Sequence, residues 1–204
     1  SAWAQQDAAP AAGNIYANIV YDPVTKLAYN QDGAGPSGFQ VFAPTKAPGS
    51  QWLELEAGSA SNVQSDSAVC ALTNPRRACF HNQISGTLVV RRLDNFAYEG
   101  TVNSFGATGA TNIFSQANHP GLAWDSGSNN LVMWGGTLTG GTDNRDVYFL
   151  DLSTKVVTRV TGTGDIPDNP GTNGVFSRWQ NLEGCGEAWK GLNVLVNTTT
   201  SDVY

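Results

Sequence analysis

The chain has 204 residues, of which 40% are hydrophobic and 14% charged, enough apolar side chains for the core of one ordinary domain. Its 17 acidic and 11 basic residues give a formal net charge of −6, which argues against nucleic-acid binding because that function usually needs a clustered basic surface. No apolar run approaches the roughly 18 residues of a membrane-spanning helix, so none is predicted.

The basic residues are scattered, and only Arg76-Arg77 and Arg91-Arg92 are adjacent. Two isolated pairs are typical of solvated strand or turn faces rather than of a phosphate-binding track. Residues 1–14 are small, polar and proline-containing, which predicts a flexible N-terminal segment. This composition suits the start of a chain left by signal-peptide cleavage, and we therefore expect a secreted, extracellular protein.

The cysteines Cys70 and Cys79 flank a strong turn signal at Asn74-Pro75, so a hairpin is predicted between them. If Thr73 pairs with Ala78, the two sulfurs become diagonal neighbours within reach of a disulfide. A disulfide and two separately packed thiols both remain open. The third cysteine, Cys185, is left over and is buried, free or paired between chains.

The chain predicts an all-β fold, because helical periodicity is nearly absent and short branched or aromatic runs alternate with turn signals. Four anchor turns, at Asp22, Asn74, Asp125 and Asn181, are spaced by 52, 51 and 56 residues. They define four units, 15–57, 66–106, 119–163 and 173–204. The predicted strands around the first turn are 19–21, 26–30, 39–43 and 51–56, and later third and fourth strands are 87–93, 98–105, 146–152, 155–161 and 202–204.

Four short antiparallel strands in a unit of this length are the pattern of a β-propeller blade. One such sheet cannot cover both of its apolar faces, so neighbouring units must stack. The predicted domain is therefore a propeller over residues 15–204, either four-bladed or part of a larger ring. The chain stops within the last predicted strand, which leads us to expect a fragment, or self-association through terminal strand edges.

The third unit resembles a Kelch repeat, since Gly135-Gly136 ends its second strand and Tyr148 lies in its third. The first unit has the expected fourth-strand tryptophan, Trp52, whereas Val157 replaces it in the third. The first unit also lacks the diglycine, and the second lacks both features. The last unit is similar to the closing blades of secreted bacterial Kelch-like proteins, and the resemblance implies a propeller over residues 15–204.

Catalytic patterns are weak in this sequence. His119, before Pro120, would lie on a loop near the central channel, whereas turn packing is the alternative interpretation for it and for His81. The acidic loop around Asp143 lacks the spacing of a calcium loop, and no Cys/His spacing typical of zinc occurs. The sequence therefore predicts no metal and no cofactor.

Aromatic side chains are the better candidates for binding, because they stack on sugar rings or partner side chains. Trp124 and Trp134 are expected to fill the core between blades. The predicted ligand-binding residues are instead Trp179, Trp189, Asn181, Glu187 and His119. Asn197 begins an N-glycosylation sequon.

These patterns predict a secreted, non-catalytic interaction or structural protein that binds a glycan or protein partner through propeller loops. The alternative is an extracellular carbohydrate-active or oxidative enzyme that uses the channel near His119. Copper-radical oxidases share the Kelch scaffold, but their ligand set of cysteine, tyrosine and histidine does not align with this chain.

Overall fold

A computed structural model of the chain describes residues 19–31, 38–47, 49–56, 65–82, 86–142, 144–161, 179–182 and 192–195. Within these residues the protein is all-β and built from antiparallel four-stranded sheets, which confirms the all-β part of the predicted fold. The described part contains no helix that is both long and apolar enough to cross a membrane.

The strands follow one another along the chain as simple meanders. Sheet 1 contains β1 (Ile19–Asp22), β2 (Leu27–Gln31), β3 (Phe39–Phe42) and β4 (Trp52–Glu56) in that order. Sheet 2 contains β5 (Ser65–Ala71), β6 (Arg77–Asn82), β7 (Thr87–Arg92) and β8 (Tyr98–Thr101). The elements that follow are β9 (Thr108–Gly109), α1 (Ile113–Gln116), β10 (Ala117–Asn118), β11 (Gly121–Asp125), β12 (Asn130–Trp134), β13 (Thr137–Leu138), β14 (Asp146–Asp151), β15 (Val156–Thr161), β16 (Trp179–Leu182) and β17 (Leu192–Leu195).

Sheet 3 has the order β11-β12-β14-β15, and the short β9 adds to β15 in parallel. Two separate pairs complete the described part: β10 with β13, and β16 with β17. The predicted strands of the first three units are therefore confirmed, with ends that differ by a few residues. The last predicted strand, 202–204, lies outside the described residues.

Aspartates close three of the strand-to-strand turns, at Asp22, Asp125 and Asp151. The Asp22 carboxylate accepts hydrogen bonds from the Val24 backbone N–H at 2.9 Å and the Thr25 hydroxyl at 2.7 Å. Asp125 binds Gly127 and Ser128 in the same way, which explains why these aspartates mark the turns in the sequence.

The turn around Asn74 is built differently, and its length determines on which faces of sheet 2 the two cysteines lie. Ala71 pairs with Arg77, so five residues, 72–76, form the loop and the predicted Thr73–Ala78 pairing is wrong. Since side chains alternate along a strand, a register change of one residue moves a side chain to the other face. Cys70 pairs with Ala78 and Val69 pairs with Cys79, which places the cysteines on opposite faces of sheet 2.

Both thiols are free, so the predicted bridge between Cys70 and Cys79 is wrong and the alternative of two packed thiols is correct. Burial, with a smaller contribution from Asp22, raises the pKa of Cys70 to about 12. Burial also raises the pKa of the Cys79 thiol. Cys185 lies outside the described residues.

The three sheets stack face to face in chain order. Sheets 1 and 2 share a core that includes Tyr29 and Phe39 on one side and Phe80 and Val89 on the other. A second, larger core lies between sheets 2 and 3. Along these stacks the first strands lie beside one another, since β1 contacts β5, β5 contacts β11, and β11 contacts β16.

The tryptophans of sheet 3 are both buried, and Trp124 packs between two sheets as predicted. Trp124 is 6% exposed and belongs to the core between sheets 2 and 3. Trp134 is 3% exposed and packs with Ala123 and Val132 on the opposite face of sheet 3. Both side chains therefore fill core, and neither offers a surface for stacking a ligand.

Candidate functional site

The predicted ligand-binding residues lie mostly outside the described part of the chain. Trp179 and Asn181 belong to β16, of which the structure describes the backbone pairing with β17. Trp189, Glu187 and the sequon residue Asn197 lie outside the described residues. Of the predicted set, His119 is the residue whose surroundings are described.

His119 lies at the end of sheet 3 where β11 begins and β12 ends. At this end the chain leaves β12 through Gly135-Gly136, and β13 then pairs with β10, just before His119. Gly136 has φ +82°, and a Cβ atom there would lie 2.5 Å from the Asn118 carbonyl oxygen. Gly136 therefore allows the backbone to approach Asn118 closely, a role that only glycine fills without strain.

Asn144 holds the loop that follows β13. Its side chain is buried and donates from Nδ2 to the Gly135 carbonyl oxygen at 2.9 Å. Its backbone N–H donates to the Gly136 carbonyl oxygen at 3.0 Å. The loop is thereby tied at its base to the diglycine, while its middle faces solvent.

The exposed part of this loop joins α1 to form one continuous polar surface, which we call the polar ledge. The Thr139 backbone N–H donates to the Gln116 carbonyl oxygen at 2.9 Å, which connects the two segments. Two exposed residues come from α1, Ser115 and Gln116, and four from the loop, residues 139–142. Exposed hydroxyl and amide groups at a fixed position are suited to hydrogen bonding with a polar partner.

The two histidines of the chain lie close enough to influence one another beneath this end of sheet 3. His81 on β6 is fully buried, and its Nε2 donates to the Phe114 carbonyl oxygen at 3.1 Å. Burial, together with His119, lowers the pKa of His81 to about 4. His119 is half-buried in a left-handed conformation with φ 55°, and burial lowers its pKa as well. Both imidazoles are therefore neutral near pH 7.

The described carboxylates near the sheet ends are engaged in pairing and turn formation. Asp146, one of the candidates for calcium, accepts from Arg159 at 2.6 Å. Asp151 caps its own turn, and hydrogen bonds led by that from the Ser153 hydroxyl hold its pKa at about 2. Asp143 lies outside the described residues, and the described ones contain no group of three side chains able to hold a metal ion.

Arg91 is the residue that sequence reasoning missed. It was expected on a solvated face, yet its side chain is 0% exposed between sheets 1 and 2. It donates to the Glu56 carboxylate at 2.6 Å and to the Gln31 side-chain oxygen at 2.5 Å, and its guanidinium lies 4.3 Å from the Phe39 ring centroid. The partners lie on β2, β3 and β4, far away in the sequence, so the residues around Arg91 do not indicate that it is buried.

Arg76 is a second basic residue with a structural contact between sheets. Its Nε donates to the buried Asp22 carboxylate at 3.2 Å, which connects the turn of sheet 2 to that of sheet 1. Burial opposes ionisation of Asp22, but hydrogen bonds from Thr25 and Val24 and the charge of Arg76 keep its pKa below the ordinary value.

Comparison with known protein families and curated proteins identifies no function for these residues. No family model matches the chain, and neither does any curated protein.

Proposed function

We propose that the chain is a Kelch-like β-propeller, or part of a larger one, that acts outside the cell as a non-catalytic interaction protein. The observation that carries the proposal is the contact of β1 with β5, β5 with β11, and β11 with β16. In a propeller the innermost strands of successive blades lie side by side around the axis, and each blade stacks on the next. The two shared cores between sheets support the same arrangement.

The proposed ligand is a glycan or a protein surface rich in hydroxyl and amide groups. Its proposed binding surface is the polar ledge. Trp179 and Trp189 stay predicted aromatic contacts, whose side chains lie outside the described part of the chain. Support for the ledge comes from its build: exposed donors and acceptors lie on a loop whose base is fixed by Asn144 and Gly136. A fixed loop on a rigid sheet loses less conformational entropy on binding than a free one.

Binding is favoured over catalysis because the charged and polar side chains that could act as acids or bases form structural ion pairs and hydrogen bonds. Glu56, Glu99 and Asp146 pair with Arg91, Arg77 and Arg159. His81 is bonded to the Phe114 carbonyl within the core. Self-association through the strand edges of the terminal units belongs to the same proposal.

The experiment compares two exposed substitutions at opposite ends of sheet 3. Thr142→Arg places a long charged side chain on the ledge, whereas Ser126→Arg does the same in the Asp125 turn. The purified chain and both variants are tested on an array of polysaccharides and glycoproteins, followed by titration with the best ligand. We expect Thr142→Arg to weaken binding at least tenfold and Ser126→Arg to leave it unchanged.

Other outcomes reject the proposal in different ways. Equal effects of the two substitutions would remove the ledge as the binding surface. Release of sugar from a bound polysaccharide, or stoichiometric copper in the purified protein together with oxidase activity, would favour the enzyme alternative.

A further inference from the structure

The outer edge of sheet 3 is occupied over only part of its length. The short β9 runs parallel to β15 there. The Thr108 backbone N–H donates to the Lys155 carbonyl oxygen at 2.9 Å, and the Ala110 N–H donates to the Val157 carbonyl oxygen at 3.1 Å. The chain then leaves this edge and enters α1. Beyond β9, residues 158–161 of β15 are all exposed.

The two hydrogen bonds to β9 show which backbone groups of β15 point outward. Successive residues of a strand turn their N–H and C=O groups to alternate sides, so Arg159 and Thr161 face the same way as Lys155 and Val157. No described residue pairs with the outward N–H or C=O groups of Arg159 and Thr161. This part of the edge therefore offers donors and acceptors in the spacing that a further strand requires.

The strand β15 lacks the features that protect the outer strands of sheets 1 and 2. β4 carries Glu54 and Glu56, β8 carries Glu99, and the pairing of each with its neighbour contains a register shift. β15 pairs with β14 over six residues without a shift, and its one charged residue, Arg159, is paired with Asp146 at 2.6 Å. Because charges and bulges keep edge strands from pairing, β15 is the most open of these three edges.

The open stretch of β15 is complementary to itself. When two β15 strands lie antiparallel with Val160 opposite the Val160 of a second copy, Arg159 of each chain lies opposite Thr161 of the other. These residues carry the outward groups, so each such pair exchanges both of its N–H···O=C bonds. The two Val160 side chains meet at the non-hydrogen-bonded position between them, where opposite strands are closest. Arg159 faces a neutral threonine, so no like charges lie directly opposite one another.

The ends of the open stretch fit the same register. β15 ends at Thr161, and β9 occupies the edge as far as Val157. Pairing centred on Val160 uses residues 159–161 of each copy, which lie between these two limits. A second β15 strand can therefore pair here without displacing β9.

We propose that two copies of this chain associate by antiparallel pairing of their β15 edges, which joins the two copies of sheet 3 into one continuous sheet. The contact is isologous, because the same surface meets itself across a two-fold axis, so the assembly closes as a dimer. The contact is short, so the dimer is weak and forms at high protein concentration. It is independent of any ligand on the polar ledge and uses the third unit rather than the terminal ones.

Sedimentation velocity over a concentration series tests the contact with Val160→Lys, which places two like charges opposite one another at the two-fold axis. Val156→Lys is the matched control, since Val156 is 42% exposed and Val160 45%, and both lie on the same face of β15. Val156 lies beside β9, outside the proposed contact. We expect Val160→Lys to raise the dissociation constant of the dimer at least tenfold and Val156→Lys to leave it unchanged, both with the circular dichroism of the unsubstituted chain.

Mixing two charge variants tests the predicted register. Val160→Lys and Val160→Glu should each associate poorly alone, because each places its own charge opposite an identical one. An equimolar mixture should form a one-to-one dimer, since lysine then lies opposite glutamate. Failure of the mixture to associate, or an equal effect of Val156→Lys, would overturn the proposal.

Thr161→Pro distinguishes pairing of strand edges from contact through the face of the sheet. Proline removes the outward N–H of Thr161, and an edge strand tolerates it where that N–H faces solvent. We expect at least a tenfold weaker dimer with unchanged circular dichroism. A dimer of unchanged strength would show that the backbone of β15 takes no part in the contact and would overturn the proposal, as would a chain that stays monomeric at every concentration.

Discussion

Arg91 in sheet 2 and Glu56 in sheet 1 form an ion pair at 2.6 Å that closes the polar part of the interface between the two sheets. The guanidinium is fully buried, whereas the Glu56 side chain is 38% exposed. A buried charge needs its partners, because an unpaired one has lost its hydration without compensation. The pair therefore connects the two stacked sheets through the buried side chain of Arg91.

Arg91→Ala should destabilise the fold strongly. We expect a loss of about 2–3 kcal/mol in the free energy of unfolding, less than a fully buried pair would lose because Glu56 remains partly hydrated. Urea denaturation measures this loss. Arg92→Ala is the matched control, since Arg92 forms an exposed pair with Asp94, and it should leave the free energy of unfolding nearly unchanged. Equal costs for both variants would show that the burial of Arg91 contributes nothing.

Gly136→Ala should cost more than the left-handed backbone alone explains. Gly141 has φ +85°, close to the +82° of Gly136, but a Cβ atom there meets nothing within 4 Å. We expect about 1 kcal/mol for Gly141→Ala from backbone strain. Gly136→Ala adds a clash with the Asn118 carbonyl and should cost about 3 kcal/mol in the same thermal or urea measurement. Indistinguishable values would contradict the close approach.

The stability of the protein should fall as the pH drops below about 6.5, the ordinary pKa of histidine. The unfolded chain binds a proton at His81 in this range, whereas burial holds the folded-state pKa at about 4. Stability is therefore intact above the unfolded pKa and is lost progressively from pH 6.5 to 4, by up to about 1.4 kcal/mol per pH unit.

Urea midpoints of the unsubstituted chain and His81→Gln, measured from pH 7 to 4.5, check this dependence. Glutamine removes the titrating group but retains a donor for the Phe114 carbonyl, so the variant should show the flatter profile. Parallel profiles would assign the acid sensitivity to other groups, among them His119.

Cys70 and Cys79 should carry free thiols in the native protein. Their side chains face opposite sides of sheet 2, so an intramolecular bridge between them is excluded by the register. Alkylation after denaturation without a reducing agent, followed by peptide mass mapping, should find both cysteines modified. A peptide pair joined between Cys70 and Cys79 would show that the hairpin has the other register.

Local pattern was sufficient to predict the strands. Alternating apolar residues between turn signals define a half-buried strand, and Asp22 and Asp125 mark turns because their carboxylates cap them. Trp124 and Trp134 were likewise predictable, because large aromatics on successive paired strands need a core.

The remaining features depend on geometry that the sequence does not specify locally. Whether the two cysteines share a face depends on the loop length. The loop 72–76 has five residues, one more than predicted, which places the cysteines on opposite faces. Arg91 is buried because its partners arrive from sheet 1, with Gln31 sixty positions earlier in the chain. The polar ledge depends on a backbone hydrogen bond between Gln116 and Thr139. The side chains of these residues do not indicate that their backbones meet, so the sequence could not predict it.

The strand β6 lies between two different cores and contributes alternate residues to each. Ala78 and Phe80 belong to the core shared with sheet 1, and Cys79 to the core shared with sheet 3, while His81 bonds to the Phe114 carbonyl. Inserting or deleting one residue in β6 would exchange the two sets and misplace both cores at once. This strand therefore tolerates changes of side chain far better than changes of length, and duplication or shuffling of units in such a protein must cut at the turns.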